Sequence, residues 1–282
     1  MNFKKLKDFI FYSADCFLSL IGSRYSAKKK FELFFVWLKI NFKFVFLSEK
    51  TSETFLGFKI KFFDYKAFKF IFEEIFIRAE YYFNPAKDSL VIFDCGANIG
   101  MALLFFKWLC PNCKIYAFEP DKKTFDVLQE NIRINCLKGI YAFNYALYDN
   151  AGKLKFFVDK KVSGSFMMSV NQIENSAQDE VQAITLSEFL TQENITNIDL
   201  LKMDIEGSEL KVFSELDKSE KLKLICSGII EYHHNFEHEN AQFAKFLEIL
   251  EKNKFNYQIN SHFSFFSQKK EFQNIMVYLN KV

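Results

Sequence analysis

The chain has 282 residues and a formal net charge of +2, with 50% hydrophobic and 26% charged residues. This composition is ordinary for a globular protein, and it excludes wholesale disorder and fibrous repeats. The small net charge argues against a nucleic-acid binder, which is normally strongly basic. Phenylalanine occurs 38 times, so we expect an aromatic core.

The N-terminal part of the chain differs from the rest. Residues 1–46 hold nine Lys or Arg, three Asp or Glu and ten Phe, which gives a net charge of +6. A basic, aromatic helix can contact an anionic membrane peripherally. Alternatively, its Phe stripe packs on the main domain or on a second subunit, which would form a homodimer. Charges interrupt the apolar runs, so we expect no signal peptide, no membrane span and a cytoplasmic address.

Two kinds of pattern follow. A hairpin over Phe55–Phe63 and a helix over Tyr65–Arg78 are predicted, so residues 1–83 form a mostly helical extension. Over residues 84–282 short apolar strands alternate with helices, apart from a small β excursion at 149–185. This alternation predicts an α/β domain with a doubly wound parallel sheet, helices on both faces, and ligands at the carboxyl ends of the strands. The predicted strands are Leu90–Phe93, Lys114–Phe118, Ile140–Leu147, Ile198–Met203, Leu222–Glu231, Tyr257–Phe266 and Asn274–Leu279. The predicted helices between them end at Leu109, Asn135, Leu216 and Asn253.

A glycine turn joins the first strand of this domain to its first helix. Gly96 and Gly100 permit a sharp turn and a close approach of the backbone to a ligand, which a Cβ atom would block. Glu119 lies 25 residues after Asp94, at the end of the next strand, where its carboxylate could accept both hydroxyls of a ribose. This combination predicts a cofactor that contains adenosine, either a dinucleotide or S-adenosylmethionine.

The residues of the turn favour the second of these cofactors. A dinucleotide site usually has the pattern G-x-G-x-x-G, whereas this turn has G-x-x-x-G with Asn98 at the middle position. Asn98 tolerates a left-handed backbone conformation. The carboxylate of Asp94 would repel a pyrophosphate but would attract a cationic sulfonium group. The turn therefore predicts S-adenosylmethionine.

Several blocks of sequence at the predicted strand ends resemble one known family. They are Val91–Gly100 (VIFDCGANIG), Ala117–Pro120 (AFEP), Leu128–Asn131 (LQEN) with Asn135, Ala146–Leu147 with Gly152, Leu201–Glu209 (LKMDIEGSE) and Ile230–His233 (IEYH). Over residues 89–280 the chain resembles the FkbM family of S-adenosylmethionine-dependent methyltransferases, although Cys95 stands where that family usually has Val. The resemblance implies a Rossmann-like class I methyltransferase sheet, a methyl donor as cosubstrate and, commonly, O-methylation of a sugar or natural-product hydroxyl.

Two pairs of polar residues at neighbouring strand ends are the candidates for catalysis. Asp204 and Glu206 follow the fourth strand, beside the cofactor site, and Glu231 and His233 follow the fifth with the same spacing. Residues two apart on an extended chain point to the same side. Together these side chains could hold Mg²⁺ or Mn²⁺, with Asp204 and Glu231 as leading ligands. Alternatively, His233 acts as a general base that a carboxylate orients.

The same residues also have purely structural interpretations. Asp204 and Glu206 could cap the helix that begins near Ser208, because carboxylates favour helix N-termini. Residues 232–235 could form a polar loop after the fifth strand.

Three functions compete at this point. The first is an O-methyltransferase that uses S-adenosylmethionine and acts on a sugar of a glycan or on its nucleotide-linked precursor. The second is an NAD-dependent oxidoreductase, which the glycine spacing disfavours. The third is a non-catalytic Rossmann-like docking module, which would not need the intact cofactor turn found here. The sequence favours the methyltransferase, with acceptor specificity expected in residues 149–185 and in the N-terminal extension.

Overall fold

The computed structural model describes residues 16–46, 50–85, 87–159, 176–234, 242–261 and 273–281. In these ranges the N-terminal extension consists of helices and a hairpin. Its elements are α1 (16–22), α2 (Ala27–Phe46), β1 (Ser52–Phe55), β2 (Phe58–Lys61) and α3 (Tyr65–Phe72), and α3 continues as a π-helical turn (Glu73–Ile77). A hairpin and a helix are thus present as predicted, but the hairpin spans Ser52–Lys61 instead of Phe55–Phe63, and the helix is α-helical only to Phe72. No helix in the described ranges has the length and apolar character needed to cross a membrane.

Apolar side chains at helical spacing turn one face of α2 towards the rest of the molecule. Leu33, Trp37 and Ile40 lie three or four residues apart on this face, and all three are buried. The apolar cluster to which they belong also contains the buried rings of α3 and continues into the central sheet. The extension is therefore attached through a shared aromatic core.

The rest of the chain alternates strands and helices as predicted. Its elements are β3 (Val91–Cys95), α4 (Met101–Leu109), β4 (Lys114–Phe118), α5 (Lys122–Ile134), β5 (Ile140–Phe143), β6 (Ala146–Leu147), β7 (Gly152–Asp159), β8 (Ser176–Ile184), α6 (Leu186–Gln192), β9 (Leu200–Met203), α7 (Glu209–Lys218), a 3-10 turn (Leu222–Leu224), β10 (Ser227–His234), α8 (Phe243–Lys252), β11 (Phe255–Ser261) and β12 (Gln273–Lys281). Seven of these strands form a sheet in the order β5-β4-β3-β9-β10-β12-β11.

The central sheet is the predicted α/β arrangement with helices on both faces. Successive side chains of a strand point to opposite faces, so Ile92 of β3 packs in the cluster with α4 and α5. Its neighbour Phe93 packs in the cluster with α6, α7 and α8. Two apolar layers on one Rossmann-like sheet follow from this alternation.

One strand departs from the parallel direction that the sequence predicts. β12 runs antiparallel to both of its neighbours, β10 and β11. Residues 262–272, which connect β11 to β12, lie outside the described residues, but they are fewer than the dozen or more that a parallel crossover needs. The short connection therefore requires β12 to run back beside β11.

Several predicted strands have different bounds in the structure. The strand predicted from Leu222 begins only at Ser227, because Leu222–Leu224 form a 3-10 turn. The strand predicted over Ile140–Leu147 is divided, because the side chain of Asn144 donates hydrogen bonds to the carbonyl groups of Glu119 and Pro120 and redirects the chain. Its second part, β6, joins β8 and β7 in a small three-stranded sheet, which is the predicted β excursion. Residues 160–175 of that excursion lie outside the described residues.

The strand predicted to end at Glu231 continues to His234. Residues 232–234 pair with β12 in antiparallel register, so the interpretation of this segment as a polar loop is wrong. Pairing with β12 was not visible in the local sequence, and it places His233 on a rigid strand.

Candidate active site

The chain reverses its course across the sheet at β3. It passes from β3 to β4 and β5 on one side and later returns to β9 and β10 on the other side. The carboxyl ends of β3 and β9 are therefore at a topological switch point, where open α/β sheets bind their ligands. The predicted site residues lie at or near the carboxyl ends of β3, β4, β9 and β10. They are Asp94, Gly96, Asn98, Gly100, Glu119, Asp204, Glu206, Glu231 and His233.

The glycine turn is shaped by contacts within the protein. Gly96 has a φ of +83°, and a Cβ atom there would lie 1.7 Å from the carbonyl oxygen of Asp204. Gly100 has a φ of +91°, and a Cβ atom there would lie 2.8 Å from the Leu128 side chain of α5. Asn98 has the left-handed backbone that its side chain tolerates, with a φ of 49°. The turn is therefore pressed against the segment that carries Asp204.

Glu119 is fixed beside this turn by two backbone groups. The N–H of Asn98 donates to Oε2 and the N–H of Asp121 donates to Oε1, each at 2.9 Å. Burial raises the pKa of Glu119 to about 8, although these two hydrogen bonds oppose the shift. Each carboxylate oxygen has a second lone pair, so the geometry is compatible with two further donors, such as ribose hydroxyls.

A buried lysine connects the glycine turn to the catalytic candidates. Lys202 of β9 lies beside Asp94 of β3, and its Nζ donates to the carbonyl oxygen of Gly96 at 2.7 Å. The same Nζ lies 3.4 Å from Oδ1 of Asp94 and 3.7 Å from Oδ2 of Asp204. Burial opposes the charge of Lys202, but Asp94 and Asp204 raise its pKa above the ordinary value. Asp94 is fully buried, so the structure places it against Lys202 rather than at an open surface.

His233 is buried among three carboxylates. Its Nδ1 donates to Oε1 of Glu209 at 2.9 Å. Its Nε2 lies 3.3 Å from Oε2 of Glu206 and 3.6 Å from Oδ1 of Asp204. Burial alone would lower the pKa of His233, but Glu209 and Glu206 raise it well above the ordinary value. This arrangement holds the proton on Nδ1 and directs Nε2 towards the carboxyl groups of Asp204 and Glu206.

Glu209 also holds the turn that carries those candidates. Its Oε1 accepts hydrogen bonds from the backbone N–H groups of Ile205 and Gly207, at 3.2 and 3.1 Å. Burial would raise the pKa of Glu209, yet His233 and the hydrogen bond from the Gly207 N–H keep it below the usual value, so the carboxyl is ionised. The N-cap of α7 is Ser208, so neither Asp204 nor Glu206 holds the capping position.

The N-terminal extension reaches the site through Tyr81. Its hydroxyl donates to Oε2 of Glu231 at 3.3 Å, and its ring lies 5.4 Å from Nζ of Lys202. Glu231 also accepts a hydrogen bond from Asn274 of β12. Burial and the nearby Asp204 raise the pKa of Glu231 to about 7. The extension therefore contributes a side chain to the carboxyl edge of the sheet.

Comparison with known proteins identifies the family. A family model described as "Methyltransferase FkbM domain" matches residues 94–259, which is more than half of the chain. The chain belongs to the FkbM methyltransferase family. It is a methyltransferase that depends on S-adenosylmethionine, as the sequence blocks imply, and this decides against the oxidoreductase alternative.

Three curated relatives illustrate the similarity. "Methyltransferase 1" of Beauveria bassiana is 32% identical over 181 residues, which cover 58% of this chain and 72% of the relative. "31-O-demethyl-FK506 methyltransferase FkbM" of Streptomyces tacrolimicus is 26% identical over 182 residues, with coverage of 54% and 70%. "Hexuronic acid methyltransferase AglP" of Haloferax volcanii is 24% identical over 151 residues, with coverage of 53% and 59%.

The charges at this FkbM site fit a cationic methyl donor. Burial raises the pKa of Glu74 to about 9, with Glu80 and Glu231 adding to the shift. Burial likewise raises the pKa of Glu206 well above the ordinary value, and Asp204 adds to it. A group of carboxyls that repel one another binds a cation favourably, because a nearby positive charge stabilises their ionised forms.

Three side chains of the FkbM site could also hold a divalent cation. Asp204, Glu206 and His233 each offer one ligand atom, and these atoms lie within 4.8 Å of one another. Ligation would use Nε2 of His233, since Nδ1 donates to Glu209 in the manner of a carboxylate–histidine–metal arrangement. Glu231, the ligand predicted beside Asp204, accepts its hydrogen bonds from Tyr81 and Asn274.

Proposed function

We propose that this protein methylates a hydroxyl group of a sugar, in a glycan or in its nucleotide-linked precursor, with His233 as the general base. The observation that carries the proposal is the buried pair of His233 and Glu209, which presents Nε2 next to Asp204 and Glu206 at the switch point of the sheet. The names of two relatives support the two parts of this proposal, since one specifies a 31-O position and the other a hexuronic acid, which is a sugar acid.

The cofactor half of the site is assigned to the glycine turn and the end of β4. S-adenosylmethionine supplies an electrophilic methyl group when it is bound. We assign Glu119 to the ribose hydroxyls of the cofactor. At the turn of Gly96, Asn98 and Gly100, the protein backbone would lie close to the cofactor. Asp94 acts indirectly. It pairs with Lys202, and Lys202 donates a hydrogen bond to the carbonyl group of Gly96.

The proton half of the site is assigned to the ends of β9 and β10. Asp204 and Glu206 position the acceptor hydroxyl beside His233. His233 would accept the proton of that hydroxyl at Nε2, so that the acceptor oxygen could take the methyl group that the cofactor supplies. Glu209 then stabilises the imidazolium, and general-base assistance of this kind is worth about 10²–10⁴-fold in rate.

The raised pKa of His233 shapes this mechanism. In the ligand-free protein the surrounding carboxylates favour the imidazolium, which cannot accept a proton. A cation bound beside His233 lowers its pKa and increases the neutral fraction.

Calorimetric titration tests the cofactor assignment. We expect the wild-type protein to bind S-adenosylmethionine and not NAD. The variant Glu119→Gln should bind it about tenfold more weakly, because the amide NH2 group cannot accept the hydrogen bonds that a carboxylate oxygen accepts. The control Glu130→Gln removes an exposed carboxylate on α5 and should bind like the wild type. Binding of NAD alone, or full affinity in Glu119→Gln, would contradict the assignment.

An acceptor screen tests the chemistry. The enzyme and S-adenosylmethionine are incubated with nucleotide-linked sugars and free oligosaccharides, and products are examined by mass spectrometry and by NMR for the methylated atom. We expect an O-methyl sugar, and we expect His233→Asn to lose about 10²–10⁴-fold in rate while keeping its affinity for the cofactor. Methylation of nitrogen or carbon, or an unchanged rate in His233→Asn, would overturn the proposal.

The three-ligand group favours a second candidate, in which a divalent cation activates the hydroxyl. Asp204, Glu206 and His233 would then bind Mg²⁺ or Mn²⁺ instead of exchanging protons. Dialysis against EDTA separates the two candidates. Activity that survives EDTA excludes the metal, whereas activity that is lost and then returns with Mg²⁺ or Mn²⁺ supports it.

A further inference from the structure

Large apolar side chains on the surface are concentrated in the N-terminal extension. Six of the ten exposed large hydrophobic residues in the described ranges lie on α1 and α2, and their exposure runs from 50% to 68%. We call this group the aromatic ridge. Its members are Phe17, Leu18, Ile21, Phe31, Phe35 and Phe42.

The ridge is one continuous surface built on two helices. Phe31, Phe35 and Phe42 are spaced by four and seven residues, so they lie along one side of α2. The rings of Phe31 and Phe35 are 4.6 Å apart. Phe17 of α1 contacts Phe34 of α2, with the ring centroids 5.6 Å apart, and so joins the two helices into one apolar surface.

The inward face of α2 does not account for the ridge. Leu33, Trp37 and Ile40 are buried and attach the helix to the aromatic core. α2 is therefore apolar on two opposite sides, and a helix of that kind normally has a second apolar environment. Isolated exposed hydrophobic residues need no explanation, but a contiguous patch marks an interaction site.

Basic residues lie beside the ridge, although Lys29, Lys30 and Lys43 contact Trp108, the Ile21 carbonyl group and Glu53. Residues 16–46 contain six Lys or Arg and one acidic residue, Glu32. Arg24 and Lys28 are exposed, and Lys28 lies one helical turn before Phe31. Lys39, one turn after Phe35, keeps 42% of its side chain exposed although it pairs with Glu53. Exposed Phe side chains bordered by basic residues are the composition of helices that lie in the interface of an anionic membrane.

We propose that the aromatic ridge docks on an anionic phospholipid surface, with its Phe side chains inserted between the headgroups and its basic residues bound to lipid phosphates and carboxylates. A second copy of the chain would have to place one basic surface against another, which charge repulsion opposes. The positive charge of residues 16–46 therefore favours binding to an anionic lipid surface over self-association.

Co-sedimentation of the full-length protein with vesicles tests the docking. One set of vesicles is phosphatidylcholine alone, and the other contains equal parts of phosphatidylcholine and phosphatidylserine. We expect about tenfold more bound protein on the anionic vesicles, which corresponds to one or two lysines near the charged surface. Equal binding to both vesicles, or none to either, would overturn the proposal.

Matched variants assign the binding to the ridge. The double substitution Phe31→Ser with Phe35→Ser should abolish binding to anionic vesicles. Ile259→Ser on β11 removes a side chain that is 46% exposed outside the ridge, and it should leave binding unchanged. Both proteins should keep the wild-type melting temperature, because the altered side chains are largely exposed. Retained vesicle binding in the ridge variant would contradict the proposal.

Two controls separate this inference from other outcomes. Light scattering gives the mass of the protein in solution. If the wild type is a dimer that does not bind vesicles, and the ridge variant is a monomer, then the ridge mediates self-association and the lipid proposal is wrong. Methyl transfer to a water-soluble acceptor should be the same in the ridge variant and the wild type. Failure of the proposed methylation would leave the vesicle result unaffected.

Discussion

The carboxyl edge of the central sheet, which carries the candidate active site, and the N-terminal extension are stabilised by different forces. We call the first region the edge. At the edge, Lys202 and His233 are buried ions whose partners lie at fixed short distances, and Gly96 has no room for a Cβ atom. In the extension, aromatic rings make many weak contacts, such as the stacked pair of Phe62 and Phe68 with centroids 4.4 Å apart. Ionic and backbone contacts demand particular atoms, whereas ring packing mainly demands volume. We therefore expect the edge to tolerate far less change than the extension.

The largest effect should come from breaking the buried charges at the edge. Lys202→Met leaves Asp94 and Asp204 without their cation, and removal of one partner from a buried ion pair costs about 3–5 kcal/mol. Urea unfolding of this variant and of Lys223→Met measures the contrast, since Lys223 pairs with Glu220 at the surface and should matter by less than about 0.5 kcal/mol. The double variant Lys202→Met with Asp94→Asn should recover part of the loss. Similar stability of the two lysine variants would remove the distinction drawn here.

Gly96 at the edge and Gly57 in the extension have nearly the same backbone conformation, so alanine at each position compares the two regions. Gly96 at the edge has a φ of +83°, and Gly57 in the β1–β2 hairpin of the extension has a φ of +84° with no atom within 4 Å of a Cβ. Alanine at either position strains the backbone, but only at Gly96 does it also collide with the carbonyl oxygen of Asp204. We expect Gly96→Ala to be less stable than Gly57→Ala by about 1–3 kcal/mol, the usual cost of overpacking. Equal melting temperatures would show that the edge can move to make space.

The pH dependence of the rate of methyl transfer tests the protonation state of His233. The pKa of His233 is raised, so the base is protonated at low pH and becomes neutral as the pH rises through that pKa. The rate of methyl transfer should therefore increase about tenfold per pH unit on the acid side, if His233 is the base. Glu209→Gln removes the carboxylate that raises this pKa, and the acid limb should move to lower pH. Glu248→Gln, an exposed position on α8, serves as the control. A limb that stays in place in Glu209→Gln would show that Glu209 does not tune the base.

The smallest effect is expected in the aromatic core of the extension. Phe76 contacts the rings of Phe55, Phe72 and Phe105 at centroid distances of 5.3, 5.2 and 5.0 Å. Phe76→Leu keeps an apolar side chain but loses part of the ring volume, so we expect a loss of about 1–2 kcal/mol, below that of Lys202→Met. Urea unfolding should show this modest loss, and the rate of methyl transfer should be unchanged. A loss as large as that of Lys202→Met would mean that ring packing is as demanding as the buried charges.

The sequence by itself determined the α/β class, the glycine turn and the positions of Glu119, Asp204 and Glu206 at strand ends. These features are local, because a short apolar run, a glycine spacing and the residue after a strand are all read within a few positions. The topology of alternating strands and helices then brings strand ends to one edge of the sheet without any knowledge of particular contacts. The residue types at that edge were sufficient to indicate the family.

The tertiary structure alone decided which of these residues touch. Glu209 pairs with His233, 24 positions away, and Tyr81 reaches Glu231 across 150 positions. Both residues look ordinary in the sequence, Glu209 as the first residue of a helix and Tyr81 as one of many aromatics. Lys202 did leave a signal, a single Lys within an apolar strand, and such a residue is almost never buried unless it is paired. The pairing of β12 with β10 and the exposure of the aromatic ridge follow the same rule. Both depend on which distant segments pack together, and no local pattern encodes that choice.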